Sequence, residues 1–108
     1  MAFTYKSLAD GQLAAAKATL YTVPASTTAA IKQICYTNTD AVDRTVNLYV
    51  KRSGSSSRRI IPKDMLLAAG NTMYWGDADT MELSTGDIIE GDASSATIVD
   101  YVITGAER

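Results

Sequence analysis

The sequence predicts an all-β protein: a single antiparallel β-sandwich of jelly-roll type, about eight short strands long, led by an N-terminal arm. Three observations carry that expectation. Turn clusters rich in Gly, Asp, Asn, Ser and Pro recur roughly every ten residues from Leu20 onward, the spacing typical of sandwiches. Apolar and polar residues alternate in short runs, most regularly in "RTVNLYVKR" (44–52). The one stretch with helical character, "SLADGQLAAAKA", is broken by Gly11 beside Asp10, and an Ala-rich run of that length is marginal as a helix in water.

Taken in order, residues 1–18 read as an extended arm and 19–108 as the sandwich domain. Residues 19–23 are rich in β-branched and aromatic types, which favours a strand. Pro24 ends it, and "PAST" supplies a corner in which Ser26 and Thr27 can bond the local backbone. A second strand spans 28–39, with Ile31 and Cys35 expected on one face and Lys32, Ile34 and Tyr36 on the other. After the turn cluster "NTDAVD", Val46, Leu48 and Val50 alternate with Thr45, Asn47, Tyr49 and Lys51, a half-buried strand. "SGSSS" is a flexible loop, and Pro62 confines "RRIIP" to an edge or an end. "AAGNT" then turns into "MYW", "GDADT" into "MELS" and "TGD" into "IIEG". The last strand, "ATIVDYVITG", carries apolar residues on both faces and belongs in the middle of a sheet.

Composition narrows the function. The 108 residues carry a net charge of −2, so bulk attraction to nucleic acid is not implied. One cysteine, Cys35, excludes an intramolecular disulfide and fits folding in a reducing compartment. The N-terminus lacks the pattern of a signal peptide, and no apolar run approaches the ~20 residues of a membrane-spanning helix. There is no histidine, which removes the commonest general base and imidazole metal sites. No catalytic residue, cofactor site or metal site is expected.

Weaker signals resolve the same way. Asp77, Asp79 and Glu82 in "GDADTME" suggest a calcium loop, but the spacing lacks the central glycine and final bidentate Glu of the known loop, and Asp and Thr are ordinary turn residues. Glu82, Asp87, Glu90 and Asp92 fall in turn clusters, where solvated acids are the simpler reading than a glycosidase pair. Tyr74 and Trp75 are adjacent and so face opposite sides of a strand, with Trp75 expected in the core.

Charge distribution is the most informative feature. Residues 1–63 hold nine of the ten basic residues, whereas 64–107 hold nine acids and no Lys or Arg. Lys51, Arg52, Arg58 and Arg59 surround one Ser/Gly loop. The expectation is that this loop meets an acidic rim of Asp77, Asp79, Asp87 and Asp92 on another copy or a neighbouring protein. Head-to-tail contacts of that kind close into rings, a trimer being the simplest here. The arm, with Phe3, Tyr5 and Leu8, is expected to order against a neighbour.

The runs "TLYTVPASTTAAIKQI", "NTDAVDRTVNLYV", "RRIIPKDMLLAAGNT", "LSTGDIIEGDAS" and "VDYVITG" resemble a group of small tailed-bacteriophage virion proteins. The resemblance covers about Gln12 to Gly105 and rests on scaffold positions such as Pro24, Asn38, Gly70, Gly86 and Asp87. It implies an oligomeric β-sandwich made in the bacterial host cytoplasm and built into the virion. The expected role is a non-enzymatic capsid decoration or cement protein that bridges neighbouring subunits, with the major capsid protein or other virion subunits as partners. The alternatives it leaves are a tail, baseplate or fibre component, or a receptor- or carbohydrate-binding module using Tyr74 or Trp75. Neither nucleic acid nor membrane is an expected partner.

Overall fold

The computed structural model describes residues 4–108, with the backbone alone at Thr4 and at 77–79. Nine strands are present among the described residues: β1 (Thr4–Gln12), β2 (Ala18–Thr22), β3 (Ala29–Asn38), β4 (Arg44–Lys51), β5 (Ser57–Arg59), β6 (Met65–Leu67), β7 (Thr72–Leu83), β8 (Ile88–Ala93) and β9 (Val99–Glu107). They form two sheets, all pairs antiparallel. Sheet A has the order β1-β9-β3-β7; sheet B has β2-β8-β4-β5, with β6 also on β4. The sandwich that the turn spacing predicts is the fold observed.

The corner at Pro24 carries the chain from sheet B to sheet A. Val23 is tied to the 84–87 turn by two backbone bonds, Val23 N–H to Asp87 at 3.0 Å and Gly86 N–H to Val23 at 3.1 Å. Thr27 then bonds Ala25 through its hydroxyl, at 3.0 Å, inside the corner itself. The last strand, β9, is central in its sheet as its two apolar faces predict, and β5 is an edge strand ending short of Pro62.

Side chains of both sheets fill the interior, with Leu13, Ile31, Ile34, Leu48, Ile89 and Ile103 fully buried. Tyr36 crosses it: from sheet A its hydroxyl donates to the Asn47 carbonyl of β4 at 3.0 Å. Gly91 makes room, since a Cβ there would lie 2.2 Å from that hydroxyl. Burial, and secondarily the charge of Asp92, pushes the Tyr36 phenol well above its ordinary pKa, so it stays a donor.

Four expectations change. The N-terminal segment is, from Thr4, an edge strand of sheet A paired to β9, and Leu13 is fully buried. The alternation assigned to β3 fails at a bulge between Ile31 and Gln33, where the register shifts against both neighbours. The extra residue puts Ile31 on the buried face with Ile34 and Tyr36, and leaves Cys35 half-buried on the outer face. In β4 both faces are buried, because Asn47 and Tyr49 are covered on the outside. "GDADT" does not separate two strands: it is an excursion within β7, which advances from Gly76 to Met81 while β3 moves from Gln33 to Ile31. Gly76 permits it, with φ at 105° and a Cβ position 2.3 Å from the Lys32 carbonyl oxygen.

Candidate functional site

The outer face of sheet B is built by register. Asn47 lies opposite Asp92, and Tyr49 lies between Glu90 on β8 and Arg59 on β5. Asn47, only 6% exposed, uses every hydrogen-bonding capacity of its amide. Nδ2 donates to Asp92 at 2.8 Å and to Asp64 at 3.0 Å; Oδ1 accepts from the Asp64 N–H at 2.9 Å and from Arg59. Tyr49 donates to Asp92 at 3.2 Å, and the cationic heads of Lys17 and Arg59 each lie 4.9 Å from its ring centroid. Burial and the adjacent Asp92 raise the Tyr49 pKa.

Across this ring runs a second chain of contacts. Lys17 Nζ donates to Ser57 Oγ at 3.2 Å, and that hydroxyl donates to the buried Glu90. A serine beside a lysine invites comparison with a nucleophile and its base. The geometry here runs the other way, with the exposed ammonium donating a hydrogen bond to the oxygen and the hydroxyl donating its own to a carboxylate. Such a chain clasps β5 and the β2 approach over Tyr49. Among the described residues no buried side-chain polar atom lacks a partner.

The loop end of the sandwich is organised by Asp87, 4% exposed. Its carboxylate accepts from the amides of Ser53 at 2.8 Å and Ser84 at 2.9 Å, and from Arg52 at 3.1 Å. Burial alone would raise this carboxyl, but the two amides and the guanidinium outweigh it and hold it below the ordinary range. Arg52 also donates to the Glu82 carbonyl at 2.8 Å.

The predicted interface residues therefore scatter. Phe3 lies outside the described residues, as do the side chains of Asp77 and Asp79, and with them the calcium reading. Arg52 pairs with Asp87, and Arg59 and Asp92 meet through Asn47 and Tyr49, all within one chain. Two of the four acids expected at a rim thus face inward partners. Lys51 is half-buried, while Arg58 is exposed and has no ion pair among the described residues. Arg58 lies opposite the core-facing Val50, so it places a charge on the inner side of an edge strand, a guard against edge pairing. Leu8 packs against the core rather than standing free, whereas Tyr5 is 62% exposed.

Sheet A presents a different outer face, as successive rows across β1, β9, β3 and β7. These run Tyr5–Ala106–Ala30–Glu82, Ser7–Thr104–Gln33–Gly76, Asp10–Val102–Cys35–Tyr74 and Gln12–Asp100–Thr37–Thr72. Tyr74 is 65% exposed and Val102 38%, while Trp75 turns inward against the core as predicted. Between β1 and β9 this face holds an open depression of about 410 Å³, rimmed by Asp10, Gln12, Asp100 and Val102. Sequence reasoning missed Ser57 and Lys17 and reads Asn47 only as an outward polar strand position; Glu90, expected as a solvated acid in a turn cluster, is instead buried on β8, where Ser57 donates to it. No family model matches the chain, and neither a characterised protein nor a solved structure shows significant similarity to it.

Proposed function

We propose that this protein is a non-enzymatic structural subunit of a tailed-bacteriophage particle, and that it stabilises the head by bridging neighbouring capsid subunits. The observation that carries the reading is the division of labour among its polar groups. The buried ones, Asn38, Asn47, Asp87 and Glu90, hold turns and strands together. Three of the exposed large aromatic and apolar side chains, Tyr5, Tyr74 and Val102, share one sheet face, where a binding partner can cover them, while Val42 and Leu66 are exposed elsewhere. The setting rests on the resemblance read from the strand-and-turn runs of the sequence alone.

Immunogold labelling of intact particles with an antibody to the purified protein tests this. Label over the head supports decoration, and label confined to the tail moves the protein to a tail or baseplate role. Particles without label overturn the virion reading. A second reading, a carbohydrate-binding module, draws on the exposure of Tyr74 on the same sheet face as an open depression. A glycan array separates it, because a decoration protein gives no selective sugar binding.

A further inference from the structure

We infer that the outer face of sheet A is the contact surface between two copies of this chain, packed face to face about a two-fold axis that runs along the strands between β9 and β3. The inference goes beyond the virion reading and stands without it. Its basis is an arrangement of knob and hole within one row. Tyr74 projects from β7 at one side of the face, and the depression rimmed by Asp10 and Val102 lies between β1 and β9 at the other. With strands about 4.8 Å apart, β7 and β1 lie roughly 14 Å from each other, on opposite sides of the midline between β9 and β3. A two-fold axis at that midline seats each Tyr74 in the partner's depression, as an isologous contact requires.

The charges on the rows agree with that axis. It sets Tyr74 against Asp10 and Tyr5 against Glu82, so each of these carboxylates meets a phenol rather than another carboxylate, while Asp100 keeps Gln12 and Thr37 keeps Thr72 as partners within the chain. The Asp10 carboxylate accepts no hydrogen bond from a described side chain and lines the depression, and so is open to a new donor. Val102 and Cys35 supply the apolar middle. Four strands of about eight residues span roughly 500 Å² per copy, hence about 1,000 Å² in the pair, the lower end for a specific interface. The edges of sheet A favour a face contact over strand addition. Lys6, opposite Gly105, is a charge on the core side of β1, and β7 is interrupted by the excursion after Gly76.

Sedimentation velocity on the purified full chain, over about 1 µM to 1 mM, is the test. The expected result is a monomer–dimer equilibrium that Tyr74→Glu and Val102→Lys each weaken by at least about 30-fold, the effect of losing a central anchor. Leu66→Glu, on the exposed side of sheet B, leaves it unchanged. Alkylation of the sole cysteine, Cys35, is an independent readout: its rate falls as the wild-type concentration rises and stays constant in Tyr74→Glu. A monomer at every concentration overturns the inference. So does a dimer that survives both face substitutions, or one that Leu66→Glu dissociates.

Discussion

The two sheets turn opposite kinds of surface to solvent. On sheet B, side chains from β2's approach, β5 and the loop before β6 close over Tyr49 and Asn47, and their donors and acceptors satisfy one another. On sheet A the outer rows carry two projecting tyrosines, Tyr5 and Tyr74, with Asp10, Asp100, Glu82 and short apolar groups between them, and among the described residues no such network closes over them. A polar residue on the first face is therefore a folding residue, whereas the second face keeps its few polar pairs, Gln12–Asp100 and Thr37–Thr72, within single rows and leaves its tyrosines open to a partner. Position on a strand does not distinguish them; what arrives from elsewhere in the chain does.

The largest effect should come from Gly91, where sheet B meets Tyr36. A methyl group there drives into the phenol, so Gly91→Ala is expected to cost about 3 kcal/mol by urea denaturation. Adding Tyr36→Phe removes the nearest atom and should recover part of that loss; an additive double mutant would show that the hydroxyl is not the obstacle.

Next comes the cover itself. Asn47→Ala leaves the Asp64 amide, Arg59 and Asp92 short of a partner and should cost roughly 2 kcal/mol. A loss below about 0.5 kcal/mol, the ordinary surface range, would erase the contrast between the two faces.

Acid should act on the loop end. The Asp87 carboxyl titrates below its ordinary value in the fold, so its stabilisation is complete above the unfolded value of about 4 and is lost as pH falls through the lower folded value. Glu107 adds to this in the same direction, its carboxylate favoured by bonds from Tyr21 and Lys6. The urea midpoint should therefore drop below about pH 4, and Asp87→Asn should show a smaller drop than wild type.

The smallest effects belong to sheet A. Thr37→Ala, Thr104→Lys and Tyr74→Glu should each change stability by less than about 0.5 kcal/mol when measured on the monomer. A cooperative loss of stability in any of them would mean that this face also belongs to the core.

The local signals worked where the chemistry is local. The Pro24 corner, the edge placement of the segment leading to Pro62, the inward Trp75 and the central β9 were each legible from a few adjacent residues. The β3 faces were not, because one bulge residue at Lys32 reverses the alternation and nothing in "AIKQICY" marks it. The N-terminal segment was misjudged for a related reason. "TYKSLADGQ" has weak strand patterning of its own and is held by the partner it finds in β9.

By itself the sequence determined the class of fold and most of the places where the chain turns, since Pro fixes φ, Gly reaches positive φ at no steric cost, and Asn and Asp bond their own backbone. It determined the charge imbalance along the chain as well. Where those charges meet was decided only by tertiary structure: Arg52 reaches Asp87 across 35 positions, and Asn47 reaches Asp92 across 45. An ion pair or a shared amide depends on distance in space, and strand register between remote segments sets that distance. The segregation of charge in sequence thus disappears on folding at one end of the sandwich, and the uncovered face of sheet A emerges where no motif announced it.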